Sequence, residues 1–150
     1  AAALKRILED YFQVPAEVEQ FIGAWYRLSS DSTCRFEGRE GPSERLGVGV
    51  IVGDEVWDPQ SRVRIRLGPL TMEQYTMFLP GRQGFLRLRD LTRFFSRGEF
   101  DFEVQLVLRR AEVPGCRLDE EQRVQLGWTS WLKTRPVFPR DAGDAVLPLE

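Results

Sequence analysis

The chain has 150 residues, of which 42% are hydrophobic and 29% are charged, so it is expected to fold as one globular domain with a sizeable core. Its formal net charge is −2, which gives no electrostatic reason to expect a nucleic-acid partner. It contains no histidine, which excludes every catalytic pair in which a histidine activates a serine or cysteine of the same chain.

Three further features of the whole chain concern where it works. No apolar run approaches the roughly 18 residues that a membrane-spanning helix needs, so we expect no direct membrane insertion. Cys34 and Cys116 lie in unlike contexts, and we expect reduced thiols rather than a disulfide. The chain begins with three alanines and no methionine, and we expect it to be the C-terminal part of a longer protein.

The first predicted element is a short amphipathic helix. Its apolar face is formed by four residues at helical spacing, namely Leu4, Ile7, Leu8 and Tyr11. The helix should end before Pro15, because the residue that precedes a proline disfavours helical backbone. Residues 18–28 follow; they are extended in character and contain Trp25, which we expect in the core.

Two strands are predicted in the middle of the chain, over 62–67 and 100–108, because both segments alternate polar with apolar residues. Gly68-Pro69 should end the first strand. Its solvent face carries arginines at 62, 64 and 66, whereas the other strand carries Asp101 and Glu103. Opposite charges on neighbouring strands attract each other, so we predict that the two strands lie in one sheet.

A pair of helices is predicted between these strands. Thr71 and Gln74 have the spacing of a capping box, which begins a helix that should end near Pro80-Gly81. The apolar face of the second helix is formed by Phe85, Leu88, Leu91 and Phe95, and Gly98 is its predicted C-cap.

The fold class predicted from these elements is α+β: an antiparallel sheet with a helical hairpin inserted between two main strands, and long irregular loops. We expect a single domain over 1–150, with extended loops at 29–56 and 109–126 and an extended tail at 133–150. The segment 124–132 should be a further strand that carries Trp128, a core residue, and Trp131.

Long irregular segments in a compact domain tend to be functional, so we expect the loops and the tail to contact partners. Three kinds of large apolar side chain are candidate interface anchors: those on such segments, a tryptophan between charged residues at the mouth of the first loop, and a tryptophan on the exposed face of a strand. The candidate partner-binding residues are Phe36, Trp57, Trp131, Val137 and Phe138.

Two short motifs resemble cofactor-binding or catalytic sequences, but the elements that should accompany them are missing. Gly47-x-Gly49-x-x-x-Gly53 resembles a dinucleotide fingerprint, yet the strand before it and the helix after it are missing. Ser130-Trp131-Leu132-Lys133 matches the Ser-x-x-Lys of penicillin-recognising enzymes, but their other two motifs are absent. We therefore predict no catalytic residue, no metal ligand and no cofactor.

Two alternatives stay open from the residues alone. One is a hydrolase that uses Ser130 with Lys133, or the carboxylates around Asp54 and Asp58. The acidic cluster at 119–121 is interpreted as solvated loop charge. The other alternative is a weak nucleic-acid binder through the arginine-rich helix at 82–97, although a solvated helix face or a protein contact is favoured there.

Several sequence blocks occur in an order that resembles the TssG family (also called ImpH or VasB) of type VI secretion baseplate proteins. The blocks are Asp10-Tyr11-Phe12-x-Val14-Pro15-x-x-Val18-x-Gln20-Phe21, Val56-Trp57-Asp58-x-Gln60-Ser61, Arg64-Ile65-x-Leu67-Gly68-Pro69-Leu70, Tyr75-x-x-Phe78-Leu79-Pro80-Gly81, Phe102-x-Val104-Gln105-Leu106-Val107-Leu108 and Leu126-Gly127-Trp128-Thr129-Ser130-Trp131-Leu132. The likeness covers nearly the whole chain and corresponds to the C-terminal part of such proteins. The segment 29–46 matches least.

The resemblance implies a structural role rather than an enzymatic one. TssG-like proteins join TssF-like subunits in a wedge of the baseplate, which binds TssK-like and TssE-like proteins. It implies a hetero-oligomer in the bacterial cytoplasm that is docked at the inner membrane through its partners. The resemblance supplies no catalytic residue to carry over, and from the net charge we expect no nucleic-acid partner.

Overall fold

The computed structural model of the chain describes residues 1–30, 32–34, 51–115, 125, 127–132 and 139–149. Within these residues the elements in chain order are α1 (Ala2–Phe12), β1 (Ala16–Glu19), β2 (Ala24–Arg27), β3 (Glu55–Asp58), β4 (Arg62–Leu70), α2 (Met72–Met77), α3 (Gln83–Ser96), β5 (Asp101–Leu108) and β6 (Ala142–Pro148). The α+β class is confirmed, and so is the helical pair between the two main strands, β4 and β5.

The main sheet has four strands in the order β1-β4-β5-β6, so β4 and β5 share a sheet as predicted. The outer pairs are antiparallel, but β4 and β5 are parallel, so the prediction of an antiparallel sheet is wrong for its central pair. The reason is that two consecutive helices return the chain to the end where β4 begins. There the Asp101 N–H donates to the Ser61 carbonyl at 2.9 Å.

The glycine and proline after Leu67 suggested that the first main strand ends there, but the strand is longer. It continues to Leu70 through a shift in its register with β5, and the Gly68–Pro69 peptide bond is cis. Gly68 has a φ of 137°, and an added Cβ would lie 2.5 Å from the Val107 carbonyl oxygen. Only glycine fits here, because β5 passes directly against the β4 backbone.

The helix boundaries follow the capping signals of the sequence closely. α1 ends before Pro15 with Gln13 in left-handed backbone, and its N–H donates to the Glu9 carbonyl. The Thr71–Gln74 capping box of α2 is present in both directions. At the end of α3 the left-handed cap is Arg97 rather than the predicted Gly98, although Gly98 also has a positive φ of 78°.

The core lies between one face of the main sheet and the three helices. Alternate residues of β4 and β5 point into it, with Ile65 paired to Val104 and Leu67 to Leu106. Leu4 and Leu8 of α1 are buried there, whereas Ile7 and Tyr11 of the same predicted face are 40% and 55% exposed. Each fully buried aliphatic side chain stabilises the fold by about 1.5–3 kcal/mol.

The C-terminal part of the chain differs from the prediction in two places. The described residues around 127–129 form a turn rather than a strand. The end of the predicted tail is not irregular, since β6 pairs with β5 at the edge of the main sheet. Ala145 and Leu147 alternate with more exposed residues along β6, so one side of this strand completes the core.

A second, two-stranded sheet is formed by β2 and β3. Its register places Trp25 opposite Trp57 and Tyr26 opposite Val56. The strand β3 includes the last two residues of the segment 29–56, which was predicted as a loop.

Candidate partner-binding surface

The five predicted partner-binding residues differ in whether they lie in the described part of the chain and in how exposed they are. Phe36, Val137 and Phe138 lie outside the described residues. Trp57 is 49% exposed, which a contact residue requires, but Trp131 is only 9% exposed and belongs to the core. A surface role for Trp131 in this fold is therefore not supported.

Trp131 is buried because Tyr75 of α2 holds its segment against the domain. The two rings meet edge to face with centroids 5.8 Å apart. The Tyr75 hydroxyl donates to the Trp128 carbonyl at 2.6 Å, and Trp128 packs partly buried against the core, as predicted. Burial, followed by the negative charge of Asp144, raises the pKa of Tyr75 to about 12, so this hydroxyl keeps its donor proton.

The exposed aromatic pair is instead formed by Trp25 and Trp57, which we call the tryptophan platform. Their rings meet at an interplanar angle of 61° with centroids 5.4 Å apart. Trp25 is 63% exposed, so the expectation that it lies in the core is wrong. The cross-strand register explains this result, because it places both indoles on the same face of a sheet that has only two strands.

The backbone beneath the platform fixes the position of Trp57. A Cβ added at Gly23 would overlap the Trp57 ring, so the indole rests directly on the glycine backbone. One edge of the ring therefore contacts Gly23, while Trp25 contacts the ring itself. A large side chain held in place before binding loses little conformational entropy when a partner covers it.

The small sheet is tied to the main sheet through the face opposite the platform. The Tyr26 hydroxyl donates to Asp101 Oδ2 at 2.6 Å, and the Arg62 guanidinium lies 5.8 Å from the centre of the Tyr26 ring. The Ile22 N–H also donates to the Arg62 carbonyl at 3.2 Å. These contacts orient the platform relative to the rest of the domain.

The face of the main sheet away from the helices carries charges that alternate from strand to strand. Arg64 Nε donates to Glu103 Oε1 at 2.6 Å, and Arg62 lies 3.7 Å from the same carboxylate. Arg66 lies 3.6 Å from Glu17 of β1. The predicted pairing of β4 arginines with β5 carboxylates is confirmed at Glu103, whereas Asp101 accepts the hydrogen bond from Tyr26.

The described residues do not assemble a catalytic site from the motifs considered. Lys133, Gly47 and Gly49 lie outside the described residues. Within the described residues, no three histidine, cysteine or acidic side chains are grouped as metal ligands. The pKa of Asp58 is lowered, first by a hydrogen bond from the Gln60 N–H at 2.8 Å and next by Ser61. This carboxylate caps a turn, and its lowered pKa does not suit a general acid.

The arginine-rich helix α3 buries Phe85 and Leu88 as predicted, but its C-terminal end is apolar on the outside. Phe94 is 84% exposed and Phe95 is 43% exposed, although Phe95 was predicted on the buried face. Thr92 and Ser96 occupy the buried face of the last turns instead. The exposure of Phe94 was not predicted, because the apolar residues chosen for this helix were assigned to its core face and none to its outer face.

The described helices are all too short or too polar to cross a bilayer.

Comparison with known proteins agrees with the resemblance seen in the sequence blocks. A family model described as "Type VI secretion, TssG" matches residues 1–133. A search among curated protein sequences gave no match.

Two solved structures share the fold. The first comes from a cryo-electron microscopy structure of the type VI secretion system TssK-TssF-TssG baseplate subcomplex, with a TM-score of 0.66 and 22% identity. The second belongs to the baseplate complex of the type VI secretion system, with a TM-score of 0.54 and 20% identity. Each match covers 99% of this chain, which spans 60% and 41% of the length of those two chains. Because the family model matches most of its length, the chain belongs to the TssG family of type VI secretion proteins.

Proposed function

We propose that this chain is a structural scaffold subunit of a type VI secretion baseplate wedge, where it joins TssF-like and TssK-like subunits and a TssE-like subunit. Family membership supports the proposal, and so does the fold shared with chains from structures described as baseplate complexes. The proposed location is the bacterial cytoplasm, docked at the inner membrane through partners, and the proposed role needs no chemistry from the chain itself.

The observation from this fold that carries the proposal is the tryptophan platform. Two indoles that are about half exposed or more stand side by side on a small sheet that is anchored from behind. Tryptophan is among the residues that contribute most to binding when a partner excludes water from it. A docking surface explains such exposure, whereas folding alone does not require it.

The test is co-purification of the chain with TssF-like and TssK-like proteins. Trp57→Ala is expected to weaken the association about tenfold or more, because a central tryptophan commonly contributes about 2 kcal/mol or more. Gly23→Ala keeps both indoles but displaces the Trp57 ring, so it should weaken the association as well.

Met77→Ala is the matched control, since Met77 is 51% exposed but lies on α2. Thermal unfolding of each variant shows whether the fold is retained. Full association of a folded Trp25→Ala/Trp57→Ala double variant would contradict a docking role for the platform.

A further inference from the structure

A second surface lies at the end of α3, where this helix meets the beginning of β5 and the end of β6. We call it the terminal groove, and its volume is about 1300 Å³. Its walls include Arg93, Phe94, Arg97, Phe100 and Val146. It lies on the far side of Tyr26 from the tryptophan platform, because Arg62, which lies over the Tyr26 ring, and Asp101, which accepts from its hydroxyl, both line the groove.

The apolar part of the groove is more exposed than the fold requires. Phe94 is 84% exposed, and Phe95, Phe100 and Val146 are each at least 40% exposed. None of these four side chains belongs to the buried core or to the partly buried residues that pack against it. An exposed cluster of three aromatic rings around one helix end is typical of a protein-binding surface.

The groove carries more positive than negative charge, because Arg62, Arg93 and Arg97 line it beside Asp101 and Glu103. Glu103 forms ion pairs with Arg64 and Arg62, whereas Asp101 keeps its charge and accepts a hydrogen bond from the neutral Tyr26 hydroxyl. Within the part of the chain that the structure describes, Arg93 and Arg97 have no ion pair, and both side chains are exposed. Glu99 lines a neighbouring cleft, which it shares with Arg97, and does not line this groove. Two free guanidinium groups therefore flank the aromatic side chains.

We propose that the terminal groove binds a short segment of a partner protein in which carboxylates flank aromatic or branched aliphatic side chains. Guanidinium groups pair with carboxylates through two parallel hydrogen bonds, which would fix the direction of the segment. The apolar side chains of the segment would cover Phe94 and Phe100. A nucleic acid fits less well, because among the described groove residues only Arg93 and Arg97 are left unpaired for a phosphate backbone, whereas most of the residues that line the groove are apolar.

The test uses the 150-residue chain and a random peptide library displayed on phage. The expected result is the enrichment of peptides that combine Asp or Glu with Phe, Trp, Leu or Ile. A synthetic peptide of the enriched sequence should bind about tenfold more weakly to Phe94→Ala. It should bind several-fold more weakly to Arg93→Gln/Arg97→Gln, and its affinity for that variant should depend less on salt.

Trp57→Ala and Arg87→Gln are the controls, because the first changes only the platform and the second removes an exposed arginine of α3 outside the groove. Both should bind the peptide as the unaltered chain does. Thermal unfolding of the Phe94 variant should be unchanged, since this side chain is almost fully exposed.

Three outcomes would overturn the proposal: no enrichment, enrichment of basic or uncharged peptides, or peptide binding that Phe94→Ala leaves intact. Tighter binding of oligothymidine than of the peptide, lost in the same variants, would assign the groove to nucleic acid instead. The library contains no baseplate protein. A negative result with the peptides would therefore not bear on the proposed scaffold function, which co-purification tests separately.

Discussion

Two pairs of tryptophans show how local contacts decide whether a large side chain is buried or displayed. Trp131 is buried because the Tyr75 ring packs against it and the Tyr75 hydroxyl holds the neighbouring backbone through the Trp128 carbonyl. Trp25 and Trp57 stay exposed because their sheet has only two strands and nothing described covers that face. The chemical nature of the side chain is the same, and the difference lies in what the backbone places opposite it.

The buried hydroxyl of Tyr75 leads to a prediction about alkaline pH. Its folded pKa of about 12 exceeds the ordinary value of 10.0, so the folded state holds a proton that the unfolded state loses first. The free energy of unfolding should therefore be unaffected below about pH 10 and should fall between about pH 10 and pH 12, by at most roughly 1.4 kcal/mol per pH unit.

Urea unfolding across this pH range measures the effect in the unaltered chain and in Tyr75→Phe. The phenylalanine variant has no proton to lose at this site, so its stability should fall less steeply. Identical slopes in the two proteins would show that Tyr75 ionises as readily in the folded state as in the unfolded one.

Individual residues were predicted unevenly from the sequence. Trp57 was identified as an exposed anchor because charged residues surround it, and the structure agrees on its exposure. Trp25 and Phe94 were missed because exposure depends on the partner strand and on the end of a helix. Neither of these follows from spacing along the chain.

At the scale of elements, ion pairs between neighbouring strands lie on the face of the main sheet that points away from the helices. The side chain of Glu103 is only 12% exposed and contacts two arginines of β4, whereas that of Glu17 is 63% exposed and contacts one. A carboxylate that is shielded from water and bonded at 2.6 Å contributes more than a solvated one.

We therefore expect Glu103→Gln to lower the free energy of unfolding by about 1–3 kcal/mol, because it leaves two arginines without their charge partner. The matched change Glu17→Gln should cost about 0.5 kcal/mol or less. Chemical denaturation of both variants measures the difference. Equal costs at the two positions would contradict a special role for the shielded carboxylate.

The pairing of β4 with β5 was predictable because alternation and charge sign are both visible in the sequence. Its parallel direction was not, since that depends on where the two intervening helices return the chain. The strand β6 was also missed, because its alternation is weak and the prolines around it suggested an irregular tail. A short strand at a sheet edge depends on its neighbour for its structure more than on its own pattern.

At the scale of the whole molecule, a single core holds two surfaces that the fold does not need. The tryptophan platform and the terminal groove lie on either side of Tyr26, and each displays exposed aromatic rings. A scaffold protein requires such surfaces in fixed relative positions, because the geometry of an assembly depends on the angle between its contacts. This arrangement suits a member of the TssG family better than it suits a hydrolase or a nucleic-acid binder.

The central claim is that this chain works as part of a larger assembly, and the mass of its complexes tests that claim most directly. Co-expression with TssF-like and TssK-like proteins, followed by native mass measurement, should give a stable complex that contains this chain in fixed stoichiometry. Recovery of the folded chain alone, at its own 17.4 kDa and with both partners present and folded, would contradict the claim.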